Sequence, residues 1–67
     1  MNLKQLEAFV EVAEKNSFSK AAKALYLTQP TVSAHISALE KELGSRLLIR
    51  NTKEVELSES GKRLYEY

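Results

Sequence analysis

Cysteine and aspartate are both absent from the 67 residues, and histidine occurs once. Without cysteine there is neither a disulfide framework nor a thiolate metal site, so a small hydrophobic core has to hold the fold alone. Hydrolytic triads, zinc sites and acid–base pairs all need clusters of such groups, and this chain has few members to offer them. His35, set between Ala34 and Ile36 on a helical segment, reads as a partly exposed flank residue. With two glycines in all, no Gly-rich phosphate loop exists. Apolar runs fall well short of the roughly 18 residues of a membrane span, and Met1 leads straight into a charged amphipathic pattern unlike a signal peptide. A domain this small buries only roughly 60% of its unfolded surface, which leaves no room for a ligand cavity on top of a core. The expectation is a cytoplasmic domain that is not an enzyme, with no catalytic, cofactor-binding or metal-binding residues.

What is present is an uneven distribution of charge. The net charge of +1 conceals a basic middle: residues 15–53 hold seven Lys or Arg against Glu40 and Glu42, whereas residues 1–14 and 54–67 each sum to −2. A basic centre between acidic ends suits docking on a polyanion with modest nonspecific attraction.

Helical periodicity organises the first two thirds of the chain. Over residues 3–15, Leu3, Leu6, Val10 and Ala13 form one stripe, widened by Phe9 and Val12, with Glu7, Glu11 and Glu14 mostly opposite. Ser17 is a good N-cap for a second, two-turn helix in which Phe18, Ala21, Ala22 and Leu25 share a face. Its two alanines let another helix approach closely. Thr28 caps a third helix, and Pro30 is tolerated in its first turn, where a missing N–H costs nothing. The linker of about three residues predicts a helix-turn-helix. Tyr26 stands in that linker where Asn, His or Gly would adopt the left-handed conformation more easily.

The third helix buries Val32, Ile36, Leu39 and Leu43 and ends at Gly44, an αL C-cap. Its opposite sector holds Pro30, Thr31, Ala34, Ser37 and Ala38, with Lys41 only at the far end. Beyond Gly44 the period changes to two. Leu47 and Ile49 alternate with Leu48 and Arg50, and Val55 and Leu57 with Glu54 and Glu56, which predicts a two-stranded wing with its turn at Asn51, Thr52 and Lys53. Ser58 and Glu59 start a fourth helix that has no stop signal by Tyr67, as if it ran on in a longer protein. The fold class expected is mainly α: a winged helix-turn-helix with a three-helix core, a two-stranded β wing and the start of a linker helix.

A face of slim, uncharged side chains suits entry into a DNA major groove, which admits a helix whose leading residues carry donors, acceptors or methyl groups. Gln29 can pair with adenine, Thr31 and Ser33 can reach bases or phosphates, and Pro30 and Ala34 can meet thymine methyls. Lys15, Lys20 and Lys23 on one side and Arg50 and Lys53 on the other suit the flanking phosphates. The same small residues would also fit against a protein partner, and the last helix alone could make a dimerisation module. Both readings stay open on these grounds.

The pattern from Ser17-Phe18-Ser19 through Ala21-Ala22, Gln29-Pro30-x-Val32-Ser33, Leu39-Glu40-x-Glu42-Leu43-Gly44 and Leu47-Leu48-x-Arg50 to Ser58-x-x-Gly61 resembles the amino-terminal domain of LysR-type transcriptional regulators. The resemblance implies sequence-specific binding of double-stranded DNA in bacteria, with a DNA-binding domain over residues 1–57 and a linker helix starting at 58–67. It implies a recognition helix at about 29–42 in the major groove and a wing at 47–57 on backbone or minor groove. The DNA contacts implied are Ser17, Ser19, Lys20, Thr28, Gln29, Pro30, Thr31, Ser33, Ala34, Ser37, Arg50 and Lys53. It also implies a homodimer or higher homo-oligomer built on the helix from Ser58, a nucleoid-associated location, and a small-molecule effector bound only by a further domain. The family often has Arg where Ala34 stands and Phe where Leu48 stands, so one frequent DNA contact is missing.

Overall fold

The computed structural model describes residues 2–50 and 55–66, and the backbone but not the side chain of Arg50. Along the chain run α1 (Leu3–Lys15), α2 (Phe18–Leu25), α3 (Gln29–Leu43), β1 (Leu48–Arg50), β2 (Val55–Leu57) and α4 (Glu59–Glu66). This is the winged helix-turn-helix order. Among the described residues, no helix is long and apolar enough to cross a membrane.

Local chemistry sets the helix limits. Asn2 opens α1 with a capping box: Gln5 N–H donates to Asn2 Oδ1 at 2.8 Å and Asn2 N–H to Gln5 Oε1 at 3.2 Å. Ser17 Oγ accepts from Lys20 N–H at 3.2 Å and Thr28 Oγ1 from Thr31 N–H at 3.4 Å, so α2 and α3 start on the expected hydroxyls. Both helices end in the same paired-bond pattern. Leu27 N–H reaches Ala22 O and Tyr26 N–H reaches Lys23 O; Ser45 N–H reaches Glu40 O and Gly44 N–H reaches Lys41 O. The left-handed position of that motif is Gly44 (φ 67°) in one case and Tyr26 (φ 58°) in the other, so the tyrosine carries the strain expected of it.

The core gathers Ala8, Phe9 and Val12 of α1, Phe18, Ala21 and Ala22 of α2, Val32, Ile36 and Leu39 of α3, and Leu47 and Leu48 at the wing. Each large side chain among them contributes about 1.5–3 kcal/mol on burial. Ala21 and Ala22, buried without bulk, let α1 and α3 both close on α2. Leu6, Leu25, Val55, Leu57 and Leu64 pack round the edge.

Three packing expectations are corrected. On α1 the buried stripe centres on Ala8, Phe9 and Val12, not on the Leu3–Val10 line: Leu3 is 70% exposed and Val10 also lies at the surface. Periodicity marks a broad apolar sector, and the positions of α2 and α3 choose its buried half. Leu43, in the last turn of α3, is likewise exposed. On the wing, Leu47 and Leu48 are both buried and Ile49 is 43% exposed. Alternation begins only with the paired strand, where Leu48 faces Leu57, Ile49 faces Glu56 and Arg50 faces Val55, antiparallel. Leu47 precedes it, in the connection from α3.

Candidate nucleic-acid interface

The outer face of α3 is built from side chains the core does not need. Pro30, Thr31, Ala34, Ser37, Ala38 and Lys41 are all exposed, as is Gln29 at the first helical position. Ser33 and Glu40 are half-buried on the flank nearer the wing. No acidic residue occupies the first turn of α3, so the partial positive charge of the helix start is not cancelled locally.

That first turn is internally bonded before any partner arrives. Thr28 and Thr31 pair through their hydroxyls at 2.7 Å. Ser19 Oγ, from α2, donates to Gln29 Oε1 at 3.2 Å, which joins the two helices of the helix-turn-helix on their solvent side. Lys20 and Lys23 extend from α2, both exposed. Lys15, at the end of α1, is instead paired with Glu11 at 2.5 Å, and that hydrogen bond holds its ammonium pKa above the ordinary 10.5. Much of its charge is therefore answered locally.

Of the residues expected to contact DNA, Ser19, Lys20, Thr28, Gln29, Pro30, Thr31, Ala34 and Ser37 are exposed on α2, the linker and α3, with Ser33 half-buried beside them. Ser17 is half-buried, its hydroxyl engaged in capping α2. Lys53 and the side chain of Arg50 lie outside the described residues, as does the turn at Asn51, Thr52 and Lys53.

Two residues of this surface escaped the sequence reading. Glu40, named above only for its charge and its place in the family pattern, accepts through Oε2 from Leu47 N–H at 2.7 Å and Leu48 N–H at 3.2 Å. A carboxylate one turn before a glycine C-cap is the signal that could have indicated it. Arg46 is exposed beside the groove that Ser33, Ser37 and Glu40 share with Leu48 and Ile49. It is a basic residue between α3 and the wing, counted in the basic middle but not singled out.

His35 is half-buried on the other flank of α3, near Lys4, Glu7 and Thr31. Among the described residues no three potential metal ligands cluster.

Known proteins share this arrangement. The chain is 52% identical over 64 residues to an uncharacterized HTH-type transcriptional regulator from the ibpB-leuC intergenic region of Azotobacter vinelandii, covering 96% of this chain and 44% of that protein. It is 47% identical over 66 residues to the HTH-type transcriptional regulator BudR of Klebsiella aerogenes, covering 98% of this chain and 46% of the relative. The chain thus spans less than half the length of these relatives. Among solved structures, the BenM DNA-binding domain in complex with benA site 1 DNA superposes with a TM-score of 0.95 at 43% identity, over 100% of this chain and 75% of that one. The CbnR DNA-binding domain–DNA complex gives 0.94 at 38% identity, over 98% and 76%. Residues 3–62 match the family described as bacterial regulatory helix-turn-helix protein, lysR family. With that match covering most of its length, the chain belongs to the lysR family of bacterial regulatory helix-turn-helix proteins, a family of regulators and not of enzymes.

Proposed function

We propose that this chain binds double-stranded DNA sequence-specifically as the DNA-binding domain of a transcriptional regulator, with α3 in the major groove. The observation that carries the reading is the outer face of α3: slim and uncharged through its leading turns, exposed from Gln29 to Ala38, and flanked by the lysines of α2. Such a face can approach base edges, and the flanking cations can meet phosphates. The DNA complexes of the BenM and CbnR DNA-binding domains, which share this fold, support DNA as the partner.

In this reading Gln29, Pro30, Thr31, Ser33, Ala34 and Ser37 face bases, while Ser17, Lys20 and Thr28 lie along the phosphates and Ser19 stands among the DNA-facing residues beside Gln29. Arg50 and Lys53 serve the backbone or minor groove from the wing. Residues 1–57 form the DNA-binding unit and 58–67 begin a linker that pairs two subunits in the cytoplasm, on the nucleoid. A two-fold dimer reads an inverted repeat with half-sites about one helical turn apart. Any small-molecule effector belongs to a further domain.

The test is a titration against a random-sequence duplex and a selected operator at two salt concentrations. Phosphate contacts impose a steep loss of affinity as salt rises, and base contacts a preference for the operator. Absence of duplex binding, with salt-insensitive capture of a protein partner on the same face, would overturn it.

A further inference from the structure

Ser19 sits on α2, exposed, with its hydroxyl 3.2 Å from Gln29 Oε1 on α3. Ten residues separate the two, so the bond is made by the fold and not by local sequence. Both side chains are at the surface, where a glutamine would ordinarily sample several rotamers and either orientation of its amide. Gln29 is also the first residue of α3, at the exposed leading end of the helix.

We propose that Ser19 is a positioning residue for base recognition: it acts through Gln29, not on the phosphates. The inference rests on the DNA-binding reading above and assigns Ser19 its role within it. With Oε1 engaged by the serine hydroxyl, the amide plane is held against α2 and Nε2 is the part left for a base edge. An amide nitrogen there donates, so it suits a base presenting an acceptor in the major groove, such as purine N7, and disfavours the amino group of cytosine. Because the bond exists before DNA arrives, the ordering of a long side chain is completed in the free protein and does not weaken the complex. Lys20, the next residue along α2, remains the phosphate contact of that helix.

The experiment measures base preference with the full chain, using operator variants permuted at every position, for the wild type, Ser19→Ala, Ser19→Thr, Gln29→Ala and the double alanine variant. Gln29→Ala first identifies the base pair that Gln29 reads. Ser19→Ala is expected to lower discrimination at that same base pair by about threefold to tenfold, the worth of one hydrogen bond, with the salt dependence unchanged. Ser19→Thr, which keeps the hydroxyl, restores discrimination, and in the double variant the serine change adds nothing to Gln29→Ala. A uniform loss on all sequences with a shallower salt slope would make Ser19 a phosphate contact and overturn the proposal. So would a Ser19→Ala effect that persists without Gln29, or no effect at all. If Gln29→Ala itself relaxes no position, the reading of α3 falls, a different failure from that of Ser19.

Discussion

The carboxylate of Glu40, on α3, accepts from the backbone N–H groups of both Leu47 (2.7 Å) and Leu48 (3.2 Å) where the wing begins. Leu47 and Leu48 are buried, so these donors have no ready access to water. Replacing Glu40 by Ala leaves two of them unanswered and is expected to cost about 1–3 kcal/mol, whereas Gln retains an acceptor and costs less. Urea melts of the two variants check the order; equal stability would mean the wing does not depend on this group.

Gly61 presses its backbone against the same segment. A methyl group there would stand 2.1 Å from the Leu47 carbonyl oxygen, and 3.3 Å from Leu57 Cδ2. The nearer neighbour is backbone already bonded to Ser58 N–H at 2.9 Å, so α4 would have to move. Gly61→Ala is expected to lower stability by about 1–3 kcal/mol, despite the better helix propensity of alanine. Lys62→Ala, next to it and exposed, should stay within about 0.5 kcal/mol of the parent.

Tyr26 is 95% exposed and holds φ 58°, so its side chain returns almost no burial for its backbone strain. Tyr26→Asn should raise stability by up to about 1 kcal/mol, because asparagine tolerates the left-handed region better. Glycine removes the same strain but loses more chain entropy on folding. A lower Tm for Tyr26→Asn would show that the aromatic ring makes a stabilising contact.

The Glu11–Lys15 pair gives a pH signature. Its hydrogen bond raises the Lys15 pKa above the ordinary 10.5, so folding favours the charged lysine. The resulting stabilisation is fully present below the unfolded value and is lost as pH rises through the raised folded value. An NMR titration of the lysine side chain should find Lys15 above the ordinary 10.5 and bring it back toward that value in Glu11→Gln.

Lys20 and Gln29 should separate the two kinds of DNA contact. Gln29→Ala is expected to cost roughly 1–3 kcal/mol on the operator and to relax one base pair. Lys20→Ala should weaken all duplexes alike and reduce the salt slope by about one. Fluorescence anisotropy over a salt series distinguishes them; identical behaviour would contradict α3 as the reading element.

Much of this architecture was legible because its determinants are local. Ser17, Thr28 and Gly44 announce helix ends by chemistry that needs no partner, and the strain at Tyr26 followed from its place after α2. Elements fixed by distant neighbours were harder to read. Which half of the apolar sector of α1 turns inward depends on where α2 and α3 lie, so Leu3 was assigned inside and lies outside. Leu47 is buried as expected, but the alternation failed at Leu48 and Ile49, because strand pairing starts only at Leu48 and Leu47 is held by Glu40 ahead of it. The exposed face of α3 was readable from its composition. The Ser19–Gln29 bond was not, since it exists only once two helices have crossed.

The main chain at Leu47 is pinned from both ends, its N–H to α3 through Glu40 and its carbonyl to the root of α4 through Ser58. Ser58 Oγ adds a bond to the carbonyl of Arg46 just before it. In mechanical terms, the two helices share an axle only a couple of peptide units long, held by hydrogen bonds at both ends. Torque applied along α4 therefore loads α3 directly, and tilting α3 strains the root of α4 in return.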